Sequence, residues 1–261
     1  MRKRLLVGGL VIFVTSLAFA GKEKQESVFP EVTARGRALY EYDEAAWHAS
    51  DAVEAEHPST EPLGRYIAHK SGAGWTVVFG RLNERRDAFL IAYEAIQGGS
   101  PQQFVLHKID PPQADTSFYL AAAKAIDTAQ HDFQGEERPY NVAVLPASSN
   151  QLYVYIVPAQ TKPDIYPLGG DVRYLLSADG TTVVEKRQLH KTILEIPPSA
   201  AGTTPQGSFH THVLSDVPED TDVFHVLTRK PAVPEFIGTM DRKLYEITPD
   251  GTIYYRGKLP K

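Results

Sequence analysis

Two Asp-Gly pairs, Asp179-Gly180 and Asp250-Gly251, each stand between short runs in which apolar and polar residues alternate. In that setting an Asp-Gly pair predicts a hairpin with a type I′ turn, whose two central residues both take positive φ. Hairpins join antiparallel neighbours, so sheets of that kind dominate what the chain can build. Alternation and β-branched or aromatic content predict strands over 65–70, 75–80, 88–93 and 104–109, then 140–145, 152–157, 172–177, 182–189 and 193–196. A further strand is expected at 208–212, and a last hairpin at 244–247 and 252–256. The helical period appears in fewer places. Leu39, Tyr42, Ala46, Ala49 and Val53 form one stripe, predicting a helix over 33–56 that His57-Pro58 closes. Phe118, Ala122, Ala125, Ala129 and Phe133 form a second behind the capping cluster Asp115-Thr116-Ser117. A short third helix is expected over 219–228. The fold class is therefore α+β, mostly antiparallel, with few helices. Asp110-Pro111-Pro112 is expected to break the sheet and to separate a unit at 33–112 from one at 113–261.

The first twenty residues read as a signal peptide. Arg2, Lys3 and Arg4 form a basic start, an apolar stretch follows, and Ala18-Phe19-Ala20 offers small residues at the cleavage positions. Residues 21–32 then read as a flexible tail, because Lys22-Glu23-Lys24-Gln25-Glu26-Ser27 has nothing apolar to anchor it. The expectation is a bacterial-type exported protein, periplasmic or extracellular, without stable membrane insertion after cleavage. The chain has no cysteine, so disulfides, a lipid-anchoring cysteine and thiolate metal ligands are excluded. The net charge is −5 and the basic residues occur in short pairs such as Arg85-Arg86, which leaves nucleic-acid binding without an electrostatic footprint.

The most specific chemistry lies in Ser208-Phe209-His210-Thr211-His212 and the nearby Asp222. On a strand, His210 and His212 project to one face. Pro218 is placed to begin the short helix, which puts Asp222 in its first turn beside the strand end. Two imidazoles and a carboxylate suit a divalent metal, zinc above all in the absence of thiolates, with one position left for water. His225 reads as a surface or core-edge histidine of the helix, with a fourth-ligand or supporting role as the other reading. His190, near Lys191 and Glu195, reads as a salt-linked histidine at a strand end.

The segment 208–222 resembles the JAMM motif of the JAB/MPN metalloproteases, in which a distant Glu precedes His-x-His-Pro, a loop and Pro-Ser-x-x-Asp. His210-Thr211-His212 matches the histidine pair and Pro218-Glu219-Asp220-Thr221-Asp222 the final part. Val213 replaces the proline, Glu219 replaces the serine, and the loop is one residue shorter. The resemblance extends at most over 115–256. It implies Zn²⁺ on His210, His212 and Asp222, and a glutamate as general base toward a peptide or protein substrate. Glu195 is the first candidate base, through pairing of 193–196 with 208–212. Glu137 is the alternative by topology, and Glu185 is weaker. Two functions stay open: an exported zinc hydrolase of peptide or isopeptide bonds, or a non-catalytic exported binding protein, a degenerate relative keeping the fold. The lost oxyanion-stabilising serine favours the second; the retained ligands favour the first.

Overall fold

A computed structural model describes residues 27–56, 63–195 and 205–260. The expected signal peptide lies outside the described residues, as do His57-Pro58 and Ile196 with the loop behind it. The elements in chain order are α1 (Pro30–Glu56), β1 (Arg65–Ser71), β2 (Gly74–Leu82), β3 (Phe89–Gln97), β4 (Phe104–Asp115) and α2 (Phe118–Asp132). They continue with β5 (Tyr140–Pro146), β6 (Leu152–Pro158), β7 (Pro167–Gly169), β8 (Val172–Leu176), β9 (Val183–Gln188) and β10 (Ile193–Glu195). The last are β11 (Ser208–His212), α3 (Asp220–Thr228), β12 (Glu235–Thr239), β13 (Lys243–Ile247) and β14 (Ile253–Lys258). Three sheets have four strands each, ordered β1-β2-β3-β4, β5-β6-β8-β9 and β11-β12-β13-β14, and a small one pairs β10 with β7. Every pairing is antiparallel except β11 with β12, which α3 connects as a parallel crossover. The fold is thus α+β and mostly antiparallel, with three helices among the described residues.

The first two sheets are covered on both faces, and their alternation shows it. Val77, Ala143 and Tyr155 join one apolar core with α1, whereas Val78, Val144 and Val154 join a second core with α2. Successive strand residues point to opposite faces, so each helix takes one face of both sheets. The segments on either side of residue 112 therefore share both cores. The predicted stripe of α1 is buried throughout, and Ala122, Ala125 and Ala129 of α2 are fully covered. A third core lies between α3 and the last sheet, around Val223, Val226, Ile237 and Ile247. It reaches back to the chain start: Val28, Phe29 and Val32 pack on it, and the Val28 N–H donates to Ile253 O at 2.9 Å. Residues 28–32 are thus anchored rather than tail-like, and α1 begins at Pro30, three residues before the expected start.

Three further expectations are corrected. Asp110-Pro111-Pro112 does not end a strand. It lies inside β4, where the register jumps from Ile91↔Gln113 to Tyr93↔Lys108, so the prolines sit in a bulge that needs no ladder donor. The Asp-Gly turns are not type I′, because only Gly180 (φ +73°) and Gly251 (φ +82°) are left-handed. Each glycine is the last residue of a four-residue turn, closed by Gly180 N–H to Ser177 O at 2.8 Å and Gly251 N–H to Thr248 O at 2.7 Å. Asp179 accepts from the Thr181 N–H and hydroxyl, which supports its conventional φ. Finally, β10 does not pair with β11. It pairs with β7 in the register Leu194↔Leu168 and Glu195↔Pro167.

Gly36 fixes how closely α1 approaches α3. A Cβ there would lie 2.5 Å from both Asp220 O and Val223 Cβ. The expected result of Gly36→Ala is a stability loss of about 1–3 kcal/mol from overpacking, although alanine favours helices. Urea unfolding followed by circular dichroism measures it.

Candidate metal centre

Four side chains from three places in the chain meet at one point: His190 just after β9, His210 and His212 on β11, and Asp222 in the first turn of α3. One ligand atom from each lies within 4.8 Å of all the others, and all four residues are buried. The Nε2 of His190 is 3.0 Å from the Nε2 of His212 and 3.0 Å from Asp222 Oδ1. The Nε2 of His210 is 3.1 Å from each of the same two atoms. His212 Nε2 is 3.2 Å from Asp222 Oδ2. Tetrahedral zinc with bonds of 2.0–2.1 Å separates its ligand atoms by roughly 3.3–3.4 Å, close to this spacing.

The far side of each ring is held. His190 Nδ1 faces Asp171 Oδ1 at 2.8 Å and His210 Nδ1 faces Glu235 Oε1 at 2.8 Å. His212 Nδ1 lies 2.9 Å from Val217 O and 3.0 Å from Ser215 Oγ. A carbonyl only accepts, so Nδ1 of His212 carries the hydrogen and its Nε2 presents a lone pair inward. The carboxylates at His190 and His210 favour the same tautomer. Glu235 is further fixed by Arg229 at 3.1 Å and by the Ser208 hydroxyl. Asp222 Oδ2 accepts the Glu219 N–H at 2.6 Å in a reciprocal capping box, so the helix start orients the ligand. Supporting hydrogen bonds of this kind accompany metal-bound imidazoles.

Neutral rings in this arrangement would aim three lone pairs and a carboxylate at one another in a buried space. Only cations relieve that, either protons or a metal ion. Without a metal the protons stay. Burial pulls the His190 imidazole down, but Asp171 and Asp222 outweigh it and raise it well above its ordinary value. Burial likewise opposes protonation of His210, yet hydrogen bonds to Asp222 and Glu235 push it up to about 9. Burial would raise the Asp222 carboxyl, but His190 and His212 hold it well below the usual carboxylate range. The donor set fits a metal ion, and this buried cluster could bind one.

The three ligands expected from sequence, His210, His212 and Asp222, are brought together. His190 is the fourth, and it stands where the sequence reading left room for water. It does meet a carboxylate, as a salt-linked histidine should: Asp171 through the nitrogen that faces away from the cluster, and Asp222 through the one that faces in. It lies twenty residues before His210, and β9 and β11 belong to different sheets, so no local spacing marks it. Its holder Asp171 is brought beside it by the turn Gly169-Gly170, where both glycines have positive φ. Cβ atoms on them would meet Thr192 O and Ile193 Cγ1 at 2.3 Å each, so the turn also lies tight against the residues leading into β10.

Glu195 is engaged elsewhere, in ion pairs of 3.2 Å with both Arg138 and Lys162. Glu137 is exposed in the loop between α2 and β5, and Glu185 lies 4.0 Å from Arg173. None of the three is among the hydrogen-bond or ion-pair partners of the cluster. Glu219, at the motif's serine position, is buried and ion-paired to Arg187 at 2.5 Å. His225 is buried rather than at the surface, its Nε2 has no hydrogen-bond partner, and burial pushes it down to about 4. Among the described residues no helix is long and apolar enough to cross a membrane. Comparison with protein-family models, curated proteins and solved structures finds no match for this chain.

Proposed function

We propose that this chain is an exported zinc-holding domain that does not hydrolyse its partners, a degenerate JAB/MPN relative. Zinc is the metal that three imidazoles and one carboxylate suit best, with no thiolate present. In open coordination zinc supplies a Lewis acid and an acidic water. The observation that carries the non-hydrolytic reading is His190 Nε2, 3.0 Å from both His212 Nε2 and Asp222 Oδ1. With His190 as ligand, four protein atoms complete the tetrahedron, the pattern of metals that hold a fold together. The cluster's neighbours add to this. Its nearby carboxylates, Asp171 and Glu235, are spent on imidazole Nδ1 atoms, and the proposed bases Glu195 and Glu137 face other partners or solvent. The relationship to JAB/MPN domains rests on the His-x-His strand, the Asp-bearing helix and the parallel strand after it. The basic, apolar and Ala-x-Ala start supports export.

The test is elemental analysis of untagged protein purified without added metal. One zinc per chain is expected, and none in the double variant His210→Ala/His212→Ala. The same preparation is expected to leave peptide and isopeptide substrates intact. Metal-dependent turnover that disappears in the double variant would overturn the non-hydrolytic reading, and metal-free protein that takes up no zinc at micromolar concentration would overturn the metal.

A further inference from the structure

The helix that carries Asp222 to the metal also lines a separate cavity of about 470 Å³, shared with α1 and with β5, β6 and β7. That size suits a small molecule. The rings of Trp47, Tyr66, Tyr166 and Phe224 line it, with the carboxylates of Asp43 and Glu44. One charged group in this wall lacks a partner. Asp43 has no ion pair and no hydrogen bond among the described residues, and burial together with Glu44 raises its carboxyl to about 6. Its side chain is partly covered, so the carboxylate has lost some of its water without gaining a counter-charge, and an occupant carrying a cation would supply one.

We propose that this cavity binds a small organic amine. Its ammonium group sets against Asp43 and Glu44, and its apolar body packs on the aromatic rings. The charges of the lining agree with this choice. Two acids stand against the single Lys230, which is exposed at the edge, and Glu44's nearest ionic neighbour is His48 at 4.0 Å. Aromatic faces add attraction for a cation that a neutral or anionic ligand would not gain. The proposal does not depend on which metal the neighbouring cluster holds, or on whether that site is catalytic.

The experiment titrates the purified, metal-replete chain with phenethylamine, using 2-phenylethanol as the uncharged counterpart of similar shape. Tryptophan fluorescence reads the occupancy, because Trp47 lines the cavity and the chain's other tryptophan, Trp75, is buried elsewhere. Saturable one-to-one binding of the amine is expected, with the alcohol weaker by about tenfold or more, equivalent to ~1.4 kcal/mol. Asp43→Asn is expected to fold normally, since it breaks no pairing, and to lose about the same factor for the amine while leaving the alcohol unchanged. Trp47→Phe is expected to abolish the optical response, with calorimetry still detecting the amine. No saturable amine binding at millimolar concentration would overturn the proposal. Equal affinity for amine and alcohol, or an Asp43→Asn variant that binds the amine as wild type does, would overturn it equally.

Discussion

Asp220→Asn is expected to destabilise the protein by about 3–5 kcal/mol, the cost of leaving buried charges uncompensated. Asp220 is fully buried at the start of α3 and is the meeting point of three other elements. It accepts from the Tyr155 hydroxyl of β6 at 2.8 Å, from Arg173 of β8 at 2.5 Å and from Arg35 of α1 at 2.9–3.0 Å. Two guanidinium groups meet this one carboxylate, and Arg173 is itself 91% buried by side chain. Their other carboxylates, Glu31 at 3.9 Å from Arg35 and Glu185 at 4.0 Å from Arg173, are more distant and exposed. An amide keeps the shape but not the charge, so both arginines lose their close counter-ion, and Arg173 stays desolvated. Asp127→Asn provides the contrast. That carboxylate also pairs with two arginines, Arg65 and Arg86, but it is a quarter exposed and Arg86 more than half. Its loss is expected to cost about 0–1 kcal/mol. Urea unfolding of the two variants beside wild type measures both. Equal losses would show that burial is not what gives the Asp220 cluster its weight.

The second large effect is removal of the metal proposed for the cluster. Chelation, or Asp222→Ala, is expected to cost at least about 3 kcal/mol and to open the last sheet before the rest. The cluster ties the end of β9 to β11 and α3, whereas the two larger cores hold no ligand of it except through Leu189, the residue before His190. Amide exchange should therefore accelerate in β11, α3 and β12 while α2, β5 and β6 keep their protection. The pH dependence has a definite sign. His190 and His210 are raised in the metal-free protein, His210 to about 9, so at neutral pH they carry protons that a metal must displace. Metal affinity is expected to rise with pH up to about 9 and to fall in acid, with proton release on binding at pH 7. A pH-independent affinity between 6 and 9 would contradict this.

Much of the architecture was legible because it rests on local periodicity. The α1 stripe from Leu39 to Val53, the alanine face of α2 and the strands of the first two sheets follow from residue spacing alone. What the sequence concealed depends on contacts between distant segments. Strand β12 is a short run, Glu235-Phe236-Ile237-Gly238-Thr239, paired in parallel with β11 and joined to β13 by a tight turn at Met240-Asp241-Arg242 that carries no glycine to announce it. The prolines at 111 and 112 look like a stop, yet a bulge accommodates them. At the metal centre, His210, His212 and Asp222 share one short segment and so could be read together. His190, Asp171 and Glu235 reach the cluster only through tertiary packing, and no spacing rule connects them. The consequence is chemical: the three motif residues suggest a site with room for water, and His190, from just after β9, stands where that water would be.

The most direct test of this account is whether the metal has an open coordination position. Cobalt(II) substituted for the native metal reports its own geometry through its visible absorption, and an added anion such as azide shifts that spectrum only where it can bind. The account predicts a tetrahedral spectrum that azide leaves unchanged in the wild-type protein, and one that azide does shift in His190→Ala, where removing the imidazole vacates a position. A wild-type spectrum that responds to azide as the variant does would show that His190 is not a ligand and that the site is open to water, which would contradict a closed, non-hydrolytic metal site.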